Sequence, residues 1–124
     1  MAADWRRFCN GKEFAIDGET ILVTLPGGRV HRVSVIDQPD AILLTSIVVR
    51  ASKVVAIEHL PLEAWQRNRG TELVGFKVDG KWRLIGEAWA PKAGLTAAEF
   101  GAYVHAIAAE CDRFEYQLTG ADDR

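Results

Sequence analysis

The side chains able to do chemistry in this chain are three histidines (His31, His59, His105), two cysteines (Cys9, Cys111) and a scatter of carboxylates. A histidine can move a proton or hold a metal once a neighbour fixes its tautomer. His31 is the best placed, on the alternating run VHRVSVI where it shares a face with Val33 and Val35, with Asp17 or Asp37 as a partner to tune it. Two readings follow: a hydrogen-bonded structural histidine, the favoured one because inward strand positions mostly serve packing, and a small ligand-binding or enzymatic pocket near His31.

The remaining candidates point away from catalysis. His59 lies beside Glu58 in the loop before Pro61, and His105 falls opposite the apolar stripe of the last helical segment, so the histidines show no metal-ligand spacing. Neither cysteine belongs to a CxxC or Cys/His pattern, and Cys111 falls on the apolar stripe, where a free cysteine packs as a small hydrophobe. Asp122 with Asp123, and Glu13 with Asp17, read as solvated tail and turn residues. GxSxG, HExxH, P-loop and GxGxxG motifs are absent. No catalytic, cofactor-binding or metal-binding set is expected.

The elements that would position these groups are legible from turn chemistry and periodicity. Ala3–Cys9 allows two helical turns, stopped by Asn10-Gly11. Glu13–Leu25 is β-rich, bends at Asp17-Gly18, and alternates Ile21, Val23 and Leu25 against Leu22 and Thr24; Pro26-Gly27-Gly28 ends it. Arg29–Ile36 is the partner strand. Ala41–Arg50, apolar at nearly every position and β-branched, reads as a central strand covered on both faces, with a continuation through Val54, Val55 and Ile57. Pro61 starts a short helix through Asn68, which Gly70 stops.

The stretch LVGFKVDGKWRLIGEAW is a hairpin. A three-residue loop, Val78-Asp79-Gly80 with Gly80 at positive φ, sets Phe76 opposite Trp82 and Val74 opposite Leu84, one continuous inner face. The last helix starts at Thr96 with a capping box closed by Glu99 and a Leu95/Phe100 staple. Phe100, Tyr103, Val104, Ile107, Cys111 and Phe114 then recur on one helical face, so this helix should cover the sheet. The fold class is α+β: one domain over 1–124, an antiparallel sheet of about five strands, short N-terminal and middle helices, a long C-terminal helix (α-β-β-β-α-β-β-α), and a flexible tail at 119–124.

Composition narrows the partners. A chain of 124 residues with 48% hydrophobic and 26% charged residues can bury a core unaided. Net charge −2 gives no general attraction to phosphate backbones. Arg67, Arg69, Lys77, Lys81 and Arg83 with Trp65 and Trp82 make only a scattered basic surface, so no nucleic acid is expected. No apolar run is long enough for a membrane helix and no export signal precedes the cysteines, so the expected location is cytoplasmic, without disulfides.

One face of the hairpin needs an explanation. With Phe76 turned to the long helix, Leu73, Ile85 and Trp89 point away from it. Apolar groups of that size need a cover, either the short helix bearing Leu62 and Trp65 or a second subunit. Leu62, Trp65, Leu73, Ile85 and Trp89 are therefore the candidate dimer or partner surface.

The order of elements, the stretch LEAWQRNRGTELVGFKVDGKWRLIGEAW and the helix LTAAEFGAYVHAIAAECDRFEYQL resemble the type III secretion chaperone-like family, including its YbjN-like branch. The resemblance covers roughly residues 40–118 in motif and the whole chain in topology. It implies a non-enzymatic, often dimeric α+β protein that binds an extended segment of another protein along apolar patches. The opening helix is short for the family, and fold alone implies no secretion role.

Overall fold

The computed structural model describes residues 4–50, 64, 68 and 73–119. Its framework is an antiparallel sheet of six strands in the order β1-β2-β3-β4-β6-β5. The strands are β1 (Phe14–Asp17), β2 (Thr20–Thr24), β3 (Val30–Asp37), β4 (Ala41–Val49), β5 (Gly75–Val78) and β6 (Leu84–Pro91), and one long helix, α1 (Ala97–Thr119), packs across one face. The α+β class and the long C-terminal helix are as expected. The additional strand arises because the bend at Asp17-Gly18 is a full reversal: Gly18 has φ +65 and Ile16 pairs with Ile21, folding the predicted single segment into β1 and β2. The N-terminal helix contracts to a 3-10 turn, Trp5–Phe8, whose cap Asp4 accepts the Arg6 backbone N–H at 3.1 Å.

Alternation decides which face of each strand is core. Ile21 and Val23 of β2, His31, Val33 and Val35 of β3, and Ile42, Leu44 and Val48 of β4 are buried beneath α1. β4 corrects the expectation of cover on both faces: its burial alternates along the strand, and the outer positions Leu43, Thr45 and Ile47 are only partly buried. The suggested continuation through Val54, Val55 and Ile57 lies outside the described residues. α1 begins as predicted. Glu99 N–H donates to Thr96 Oγ1 at 3.1 Å while Glu99 Oε1 accepts the Thr96 N–H at 3.1 Å, and Phe100, Val104, Ile107, Cys111 and Phe114 are buried. Five such side chains, at about 1.5–3 kcal/mol each, make this helix the main cover of the core.

The hairpin between β5 and β6 keeps its predicted faces but not its register. Phe76 lies opposite Gly86 and Val78 opposite Leu84, a shift that preserves the alternation, so Val74, Phe76 and Leu84 stay inside as expected. The loop is Gly80-Lys81-Trp82, closed by Asp79 N–H to Arg83 O at 2.8 Å. Trp82 holds the left-handed position at φ +61 and is 72% exposed, which overturns its placement on the inner face opposite Phe76. The cause is Asp79. Its Oδ1 accepts the backbone N–H groups of Lys81 (3.0 Å) and Arg83 (2.9 Å), and its Oδ2 accepts Arg83 Nε (2.9 Å) and Nη2 (2.6 Å).

Burial works against ionisation of Asp79, but these bonds from Arg83 and Lys81 and the Arg83 charge outweigh it and hold the carboxyl below its ordinary value. A carboxyl whose value is lowered on folding contributes stability above the unfolded value and loses it as pH falls through the folded one. Asp79→Asn is therefore expected to lower stability at pH 7 by roughly 1 kcal/mol, allowing for solvent screening, and its difference from the wild type is expected to shrink at acid pH, as the pH falls through the lowered value of the folded carboxyl. Urea midpoints at the two pH values check this, and an equal loss at both would show that charge at this loop is irrelevant.

One close approach sets the height of α1 over the sheet. A Cβ on Gly86 of β6 would collide with Cys111 Sγ and reach Phe76 Cε1 at 3.2 Å and Val74 Cγ1 at 3.4 Å. At the sheet margin, Ala64 and Asn68 are helical, inside the predicted middle helix whose other residues lie outside the described set. The Asn68 side-chain amide donates to Phe76 O at 3.0 Å and accepts Phe76 N–H at 2.7 Å, taking the place of a neighbouring strand along β5.

Candidate functional site

Two regions combine polar chemistry with position: the interior between β3 and α1, and the outer face of the sheet. In the first, β3 alternation turns His31 inward, where it is 1% exposed. α1 supplies Asp112 and Glu115, three positions apart and so on one helical face, and both are buried. Ligand-capable atoms of the three residues lie within 4.8 Å of one another. Arg29, at the start of β3 and half exposed, reaches in: its Nη2 donates to Asp112 Oδ2 and its Nε lies 3.4 Å from Oδ1.

This arrangement corrects the sequence reading of His31. Its acidic neighbours are Asp112 and Glu115, whereas Asp17 faces Arg32 at 3.9 Å and Asp37 pairs with Lys92 at 2.5 Å. The pocket reading fails as well, since His31 is sealed beneath α1 and the groove beside it opens on the opposite face of the sheet. The sequence did carry a hint of the missed pair. Asp112 and Glu115 extend the three- and four-residue spacing from Ala108, so two carboxylates sit on the border of a stripe that is otherwise apolar.

The outer face carries Leu22 of β2, Val30, Arg32 and Ile36 of β3, Ile47 of β4 and Ile85 of β6 around a groove of about 850 Å³. Arg29, Arg50 and Arg83 also border it. Along β6, Ile85 and Trp89 share this face, opposite Ile47 and Leu43 of β4. Of the five residues predicted for a dimer or partner surface, Trp89 is 52% exposed, Leu73 is exposed and Ile85 is buried at 7%. Leu62 and Trp65 lie outside the described residues. Val30 and Ile36 add exposed apolar surface to the same face.

The remaining chemistry-bearing groups are placed as follows. Cys111 is buried, with Sγ 4.0 Å from Ser46 O, and burial pushes the Cys9 thiol up to about 11, so Cys9 carries little thiolate at neutral pH. His105 is exposed on α1, and His59 lies outside the described residues. In the basic set, Lys77 pairs with Glu87 at 3.2 Å and Arg83 with Asp79, so both charges are already engaged within the domain; Arg67, Arg69 and Trp65 lie outside the described residues. Among the described residues, no helix is long and apolar enough to cross a membrane.

No protein-family model and no curated protein sequence matches the chain. Solved structures do resemble it. YbjN from E. coli, a candidate transcription regulator, superimposes with a TM-score of 0.63 at 15% identity, over 93% of this chain and 88% of that one. The Yersinia pestis type III secretion chaperone SycH, solved in complex with a stable fragment of YscM2, superimposes with a TM-score of 0.55 at 8% identity, over 93% and 96%. The six-stranded sheet crossed by a long C-terminal helix is thus the type III secretion chaperone-like fold, in the form shared by YbjN and SycH.

Proposed function

We propose that the chain is a non-enzymatic, chaperone-like or regulatory protein-binding domain that pairs with a second copy of itself and presents apolar surface to a partner polypeptide. The observation that carries this reading is the outer face of the sheet. Val30, Ile36 and Trp89 stand exposed on one side of a domain whose other side is closed by α1. Exposed apolar residues gathered on one face, rather than scattered singly, are the mark of an association surface. The fold neighbour SycH was solved holding a fragment of another protein, which supports a polypeptide as the thing bound. The dimer contact would run through Leu73, Ile85 and Trp89, with Leu62 and Trp65 from the middle helix, and the protein would act in the cytoplasm.

Sedimentation equilibrium on the wild type and on Trp89→Glu tests the pairing. The wild type is expected to be a dimer at micromolar concentration and Trp89→Glu a monomer with unchanged far-UV circular dichroism, because one charge at the centre of an apolar contact costs several kcal/mol of association. A wild type that stays monomeric at every accessible concentration would sink the dimer. Affinity capture from the native cell checks the partner, which should be lost from Trp89→Glu.

A further inference from the structure

We propose that His31, Asp112 and Glu115 form a binding site for one divalent transition-metal ion of the zinc or manganese class, set between β3 and α1. The residues supply one imidazole nitrogen and two carboxylates, a mixed donor set that suits zinc, manganese or ferrous iron better than the all-oxygen sites of calcium and magnesium or the thiolate sites of copper(I). Each sits on a rigid element, and their ligand atoms lie within 4.8 Å of one another. Metal–ligand bonds of about 2.0–2.2 Å place neighbouring ligand atoms about 3–3.5 Å apart. Small side-chain rotations would close the set around an ion without moving β3 or α1.

Arg29 fits an outer-shell role. It donates from Nη2 to Asp112 Oδ2 and from Nε to Oδ1 at 3.4 Å, which fixes the orientation of the carboxylate. Ligating carboxylates are commonly oriented by such a second hydrogen bond. The bound ion would join the third strand to the last helix, cross-linking the parts of the chain that the core also joins.

Refolding from denaturant provides the entry route to a sealed site. The full chain would be unfolded with a chelator, refolded with one equivalent of ZnCl2 or MnCl2, dialysed, and assayed for bound metal and thermal midpoint. Expected are about one ion per chain and a raised midpoint. His31→Gln and Glu115→Gln should each cut retained metal at least tenfold, Arg29→Ala should weaken affinity by about 10- to 100-fold, and His105→Gln should change nothing. Cobalt(II) substitution adds a readout of ligand geometry through its visible spectrum. Wild-type protein that retains neither ion after refolding overturns the site, as does retention that survives Glu115→Gln and is lost in His105→Gln.

Discussion

His31→Leu, studied in metal-free protein, is expected to lose about 3–5 kcal/mol of stability, the usual cost of taking one partner away from a buried charged group. Leucine matches the imidazole closely enough in bulk that cavity formation contributes little, so the loss isolates the polar term. With the imidazole gone, the buried carboxylates Asp112 and Glu115 lose a polar neighbour within 4.8 Å, while Asp112 keeps its pair with Arg29. For a domain whose whole stability is on the order of 5–15 kcal/mol, this is among the largest effects a single change can have.

The companion variant reverses the sign of the argument. His31→Leu combined with Asp112→Leu and Glu115→Leu removes every buried charge of the cluster together, and such replacements are often neutral or stabilising by about 1–4 kcal/mol. Urea unfolding should therefore place the triple variant near or above the wild type and far above the single one. If the triple variant is as damaged as His31→Leu, shape rather than charge governs this interior. A stable triple variant that binds no metal would also leave the cluster with a task other than holding the fold.

The second large effect is expected at Gly86. Gly86→Ala puts a methyl group into the line between β6 and Cys111 Sγ, with Phe76 and Val74 closing the sides. Overpacking of this kind costs about 1–3 kcal/mol because the helix must rise or the side chains leave their rotamers. Adding Cys111→Ala withdraws the sulfur, so the double variant should be more stable than the sum of the single losses predicts, with a favourable coupling of about 1 kcal/mol or more. Gly75→Ala on the adjoining strand, which meets nothing within 4 Å, should be nearly silent. Additive losses at Gly86 and Cys111 would mean that α1 is free to shift over the sheet.

Legibility in the sequence followed the range of the interaction. The capping box at Thr96 and Glu99, the inward row of His31, Val33 and Val35, and the even-numbered face of the hairpin were readable because each depends on neighbours a few positions away. The loop was misread for a local reason: the Asp-Gly pair suggested that Gly80 takes the left-handed position, but the Asp79 carboxylate gathers Lys81 and Arg83 and passes that conformation on to Trp82. The cluster could not be assembled from the sequence at all. Arg29 and Asp112 are 83 positions apart, and only the packing of α1 over β3 brings them together. The outer face was half legible: Trp89 and Leu73 came from hairpin alternation, whereas Val30 and Ile36 become part of the same surface only once β3 is seen beside β4.

The side chain of Asn68 has a consequence for growth. A six-stranded sheet has two margins, and each is a template on which a further strand can be laid. By engaging both backbone groups of Phe76, Asn68 occupies one of them, the β5 side, while β1 forms the other. Among the described residues this leaves the β1 side as the margin on which another strand could be laid. The Asn68 amide thus acts as a chain terminator on its own margin: without it, both backbone groups of Phe76 would be open to a neighbouring strand.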